Sequence, residues 1–98
     1  MAMLHIIRCS GFSSNALSQC LDITLPNDSI LLMDDGCYNL HHPLLIAAKV
    51  ERPELKIFFI DVHANARALS NNSHGFIPST LAEMLKLIFN HNNSITWS

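Results

Sequence analysis

The reactive groups in this chain of 98 residues are thiols: Cys9, Cys20 and Cys37. Cys37 stands in "ILLMDDGCYNL", Ile30 to Leu40, where four apolar residues run into two aspartates and a glycine. A thiol delivered by a strand to the start of a helix is activated, because a helix N-terminus lowers its pKa. Asp34 and Asp35 oppose that activation, since neighbouring carboxylates disfavour a thiolate. Free cysteine is also among the most buried residue types and usually packs as a small hydrophobe. Cys20, in "NALSQCLD", falls on or near the apolar side of a helical pattern and reads as core more readily than as nucleophile. Cys9 ends a strand, and either role suits it. An odd number of cysteines without CxxC spacing argues against a disulfide framework and against structural zinc.

Other chemistries find less support. The six histidines do not converge by spacing, and His41 and His42, being adjacent, point apart on a helix. No metal or cofactor is expected. Three glycines are too few for a phosphate-cradling loop. Asp34 and Asp35 could act as an acid pair, but adjacent carboxylates in a turn more often cap the helix that follows. With a net charge of -2 and six Lys+Arg, the chain has no basic footprint for direct nucleic-acid binding. Only 14% of its residues are charged, against about 25% in ordinary globular proteins. A surface covered by a partner explains this shortage, although Ser, Asn, His and Thr can also solvate a surface. The opening apolar run is too short for a signal peptide and has Arg8 on the wrong side of it. No segment is long enough to span a membrane, so the expected location is cytoplasmic. The glycosylation-like triplets at Asn71 and Asn92 then carry no weight.

The elements that must position these residues follow from periodicity. Met3–Arg8 reads as a buried strand, and Ser13, Ser14 or Asn15 can cap a helix built on Ala16, Leu17, Cys20 and Leu21. After a turn at Pro26–Asp28, Ile30–Met33 is a second strand. Tyr38–Val50 has a helical period, and Pro43 suits a first turn, so the helix can begin near His42. Leu55–Ile60 is a third strand, followed by an alanine-rich helix over Asp61–Leu69 with Asp61 as its N-cap. "SNNSHG" is a loop, Phe76-Ile77 a short fourth strand, and Thr80–Asn90 a helix with Leu81, Met84, Leu85, Ile88 and Phe89 on its apolar face. The tail "NSITWS" can add an edge strand. Strands and helices alternate throughout, and the short continuous apolar strands suggest burial on both faces. The expected fold is α/β: one three-layer domain over residues 1–98, its mainly parallel sheet flanked by helices. In such sheets ligand sites lie beyond the carboxyl ends of the strands. Arg8-Cys9-Ser10, Asp34 to Cys37 and Asp61-Val62-His63 should meet there.

Taken in order, "MLHIIRCSGFSSNALSQCL", "LPNDSILLMDDGCYNL" and the closing "ITWS" resemble the TusB/DsrH family, the small subunit of bacterial sulfur-relay complexes. Leu4-His5, Ser10-Gly11-Phe12, Asp35-Gly36-Cys37-Tyr38 and Trp97 occupy the places of that family's motifs. Gly11 replaces its usual proline, and Cys37 stands where it commonly has valine, a packing position. The resemblance covers essentially the whole chain and implies a DsrE-like, Rossmann-like fold.

It also implies a role in persulfide transfer. A TusB-like chain works with TusC-like and TusD-like subunits in a heterohexamer holding two copies of each. That complex takes sulfur from a TusA-like donor and passes it to a TusE-like acceptor, toward 2-thiolation of the tRNA wobble uridine. The sulfur-carrying cysteine belongs to the TusD-like sister, near the end of its third strand, where this chain has Ile60-Asp61. The implied role is therefore auxiliary and non-catalytic. Some DsrH members have a cysteine matching Cys20, which makes it the candidate auxiliary persulfide carrier. The alternatives are a DsrH-like subunit in dissimilatory sulfur oxidation, a free-standing thiol enzyme using Cys9, Cys20 or Cys37, and a homo-oligomeric structural domain.

Overall fold

The computed structural model describes residues 3–69, 75–91 and 93–97. Its strands are β1 (Met3–Ile7), β2 (Ser29–Leu32), β3 (Lys56–Ile60), β4 (Ile77–Ser79) and β5 (Asn93–Trp97). Its α-helices are α1 (Ala16–Ile23), α2 (Pro43–Glu51), α3 (Asp61–Ala66) and α4 (Leu81–Asn90), with a 3₁₀ helix over Asp34–His41. The five strands form one sheet in the order β4-β3-β2-β1-β5, and every neighbouring pair is parallel. This is the α/β architecture expected from the alternating pattern.

The layering follows from the order of the strands. From β1 to β4 the chain steps steadily in one direction, and right-handed crossovers then place every connecting helix on the same face. Leu17 and Cys20 of α1, Leu45 of α2 and Ala64 of α3 accordingly pack with Ile7, Ile30, Leu32, Ile57 and Phe59. The return from β4 to β5 runs the opposite way, so its helix must cross the other face. There Met84, Leu87 and Ile88 of α4 meet Leu4, Ile6, Leu31, Phe58 and Ile60. Fully burying each aliphatic side chain contributes about 1.5–3 kcal/mol, and β1 and β2 do so on both faces. β5 lies at the edge and leaves Asn93 through Thr96 exposed.

The helix expected to begin near His42 starts at Pro43, and residues 34–41 before it wind as 3₁₀; three other local expectations are corrected. Proline pushes the residue before it out of the helical region, and His42 (φ -78°, ψ 129°) instead caps α2, its ring accepting from Leu44 N–H. Asp61 is not an N-cap; it is the first residue of α3, and its carboxylate accepts from Val62 N–H next door at 2.7 Å. The fourth strand covers Ile77–Ser79 rather than Phe76-Ile77. On α4 the expected apolar face divides. Met84 and Ile88 meet the sheet together with Leu87, while Leu81, Leu85 and Phe89 are 47%, 55% and 83% exposed. The arc of apolar residues is wider than the strip of sheet that one helix can cover. The loop expected over residues 70–75 lies, except for Gly75, outside the described residues. Among the described residues no helix is long and apolar enough to cross a membrane.

Candidate functional site

The carboxyl ends of β1, β2 and β3 bring together the three segments singled out by their chemistry. Arg8, just past β1, donates from Nε to Asp34 Oδ2 at 2.8 Å. Asp34 has a φ of 51°, a left-handed conformation uncommon outside glycine but tolerated by aspartate. That turn aims its backbone N–H at His63 Nδ1, 3.0 Å away. The ring nitrogen facing Asp34 is thus an acceptor, and the neutral ring carries its proton on Nε2. Arg67 donates from Nε to Asp35 Oδ1 at 3.0 Å and from Nη1 to the His63 carbonyl at 3.2 Å. The two aspartates are therefore each held by an arginine rather than facing one another as an acid pair. Both pairs are partly exposed, where such bridges contribute about 0–1 kcal/mol each.

Cys37 lies beneath this cluster and is fully buried. Its thiol points at the carbonyls of Leu32 (3.7 Å) and Ile60 (3.9 Å). Burial pushes it up to about 11, with the nearby Arg67 charge and the Ile60 contact acting the other way. Cys20 is also fully buried, 3.8 Å from the Thr24 hydroxyl. It too is pushed up to about 11, first by burial and further by the Asp28 carboxylate. With that value roughly one thiol in ten thousand is ionised at neutral pH, and thiolate is the nucleophile. Cys9 differs in being only partly buried, 3.8 Å from both the Ser14 hydroxyl and the Trp97 carbonyl. It stands just past β1, beside the end of β5.

Two groups have positioning roles that their sequence pattern did not assign. Asn39 is fully buried, donates to the Cys9 carbonyl at 3.1 Å and accepts from Gly11 N–H at 2.6 Å. It pins the loop that carries Cys9. Gly11 fits that contact closely: a β-carbon there would come within 2.9 Å of the Asn39 and His42 side chains. The second group is a buried polar chain. His5, 1% exposed, lies 3.1 Å from Asp28 Oδ2, and Trp97 Nε1–H donates to His5 Nδ1 at 3.3 Å. Asp28 also accepts from the backbone N–H groups of Met3 and Leu25. Burial alone would raise its carboxyl pKa; the donors from Leu25, His5 and Met3 outweigh that and hold it below the usual value. A histidine inside an otherwise apolar strand was the signal available in the sequence.

Among the described residues no three His, Cys, Asp or Glu side chains are placed to hold a metal ion. A cavity of about 440 Å³ opens at the amino ends of β2 and β3, on the opposite end of the sheet from this cluster.

Comparison with known proteins agrees with the fold and supplies the family. The chain superposes on the crystal structure of the ychN protein from E. coli with a TM-score of 0.77 and 13% identity, over 99% of this chain and 100% of that one. It superposes on the solution structure of Tm0979 from Thermotoga maritima with a TM-score of 0.65 and 20% identity, covering 92% and 93% of the two chains. Identities this low speak to the fold. A search of curated protein sequences finds no match. The family described as "DsrH like protein" matches residues 9–94, a span that includes the three thiols, Asp34, Asp35 and Arg67 and stops two residues into β5. This chain belongs to the DsrH-like family.

Proposed function

We propose that this chain is an auxiliary subunit of a cytoplasmic sulfur-relay complex, TusB-like in its role and serving 2-thiolation of the tRNA wobble uridine. Its family membership over residues 9–94 carries this reading, because DsrH-like proteins work in multisubunit sulfur-relay complexes. Its partners are TusC-like and TusD-like subunits, two copies of each in a heterohexamer. A TusA-like donor and a TusE-like acceptor engage that complex in passing.

The auxiliary role rests on the thiols. Persulfide transfer needs a thiolate that can reach the sulfur under attack. Cys20 and Cys37 are fully buried with thiols pushed up to about 11, and the third strand ends in Ile60-Asp61 with no thiol. Cys20 as an auxiliary carrier would require α1 to lift from the sheet. The sheet scaffold, rather than a nucleophile, is what this subunit supplies.

The test is to isolate the chain from its native extract, identify its companions and measure the native mass. Two small DsrE-like proteins in a hexamer-sized particle, with TusA-like or TusE-like proteins encoded nearby, is the expected result. Sulfur-oxidation genes in that neighbourhood would move the assignment to the dissimilatory branch. A clean monomer or homo-oligomer would refute the subunit reading and return attention to the thiol-enzyme alternative. Persulfide loading of the complex, followed by mass mapping and comparison with Cys20→Ser, addresses the carrier: label on Cys20 with slower transfer in the variant would make it an auxiliary carrier, and no label with unchanged transfer would retire it.

A further inference from the structure

The hydrogen bonds around His5 leave its ring one arrangement. Indole Nε1–H can only donate, so His5 Nδ1, 3.3 Å away, must be bare. The proton of the neutral ring then sits on Nε2 and is donated to Asp28 Oδ2 at 3.1 Å. Adding a proton to Nδ1 sets two N–H donors against each other and breaks the bond to Trp97. The same proton strengthens the contact to Asp28, now an ion pair of imidazolium and carboxylate. The two ends of the ring therefore respond oppositely: the Asp28 side tightens and the Trp97 side opens.

We propose that His5 is a proton-operated latch on β5, closed by Trp97 when the ring is neutral and released when it is protonated. The rest of the sheet holds while the latch opens, because Asp28 stays bonded to Met3, Leu25 and the charged ring. β5 is suited to local release. It is an edge strand with one neighbour, β1, and four of its five residues are exposed. Release also reaches the carboxyl edge, since the Trp97 carbonyl accepts from Arg8 N–H at 2.9 Å and lies beside the Cys9 thiol.

Other titratable and charged groups surround the pair. From α1 comes the neutral Cys20 thiol, which feels Asp28. Behind α2, Arg52 donates to the Thr24 carbonyl. Glu54, Lys56 and His91 line the cavity that Asp28 borders. On β5 itself the contact is Trp97. His91 is the one other histidine among these groups, so it is the necessary control.

Trp97 is the only tryptophan in the chain, so its emission reads the latch directly. The full chain is titrated from about pH 8 to about pH 5, the range in which histidines change charge, while circular dichroism monitors the fold. The expected result is a red-shifted emission and a roughly twofold rise in acrylamide quenching with secondary structure intact. The change should be absent in His5→Gln and retained in His91→Gln. Emission that stays flat until the whole chain unfolds overturns the proposal, as does the same transition in His5→Gln. Should His5→Gln not fold, nitrogen-15 NMR of the wild-type ring decides: a bare Nδ1 and protonated Nε2 at the alkaline end support the latch, and a protonated Nδ1 there refutes it.

Discussion

Replacing Gly36 by alanine is the sharpest test of how the carboxyl edge is built. Gly36 sits in the 3₁₀ helix against the end of β1, its N–H donating to the Met33 carbonyl at 2.9 Å. A β-carbon there would overlap the Ile7 carbonyl oxygen and lie 2.7 Å from its carbon and 3.3 Å from Arg8 N. All three atoms are backbone, so no side chain can swing aside. A comfortable carbon–oxygen contact is about 3.3–3.6 Å, so the turn must retreat by roughly 1 Å or more. It would take with it the fully buried Cys37 and Asn39 and the nearly buried Leu40. Overpacking of this kind costs about 1–3 kcal/mol, and the Met33-to-Ile7 hydrogen bond at 3.0 Å, worth about 1 kcal/mol net, is strained with it. The sum, about 2–4 kcal/mol, is a large share of the 5–15 kcal/mol typical of a domain. Gly75 provides the contrast. A β-carbon there meets only Lys49 Cε at 3.5 Å, and its φ of 82° leaves backbone conformation as the penalty, about 1–2 kcal/mol. Urea unfolding followed by circular dichroism separates the two. A Gly36→Ala chain within about 1 kcal/mol of wild type would refute the close approach of β1 and the 3₁₀ turn.

Three further outcomes are expected. Asp28→Asn should cost about 1–3 kcal/mol near neutral pH, because one of its buried donors then faces an amide N–H. Since the folded carboxyl is held below its ordinary value of 3.8, its contribution is present above that value and lost as pH falls through the folded one. Acid unfolding curves should therefore be shallower in the variant, and unchanged acid curves would refute the pairing. Alkylation of the native chain at neutral pH should label Cys9 well ahead of Cys20 and Cys37, which are buried with thiols near 11; mass mapping that finds Cys20 labelled as fast would refute its burial. Thr80→Ala should cost about 1 kcal/mol, since Thr80 and Glu83 form a reciprocal capping box at the start of α4, whereas Thr80→Ser should be near neutral by urea unfolding.

The parallel sheet was legible in the sequence because β1, β2 and β3 each announce themselves as short apolar runs between turn residues. The meeting of Arg8, Asp34 and His63 followed from the general rule that strand ends converge. What periodicity could not supply was anything set by contacts distant in the chain. The partition of the α4 apolar residues depends on how wide a strip of sheet lies beneath, which no local pattern records. The 3₁₀ path of residues 34–41 brings Gly36 against the backbone of Ile7, twenty-nine positions away. His5, Asp28 and Trp97 come from three separate segments, and only the tertiary fold makes them partners.

The pairing of β5 with β1 has a consequence for how the chain is made. Met3 and Asn93 are register partners, so one side of the interior strand β1 waits ninety positions for its neighbour. During synthesis from the amino end, β1 can dock on β2 early, yet its other edge stays open until α4 has crossed the sheet. Such non-local pairing is slow and leaves hydrogen-bonding groups unpaired in the meantime. A ribosome-bound chain stalled before Asn93 would thus expose a ready template for another strand, and it is at this stage of biogenesis that chaperones or a waiting sister chain would have the most to bind.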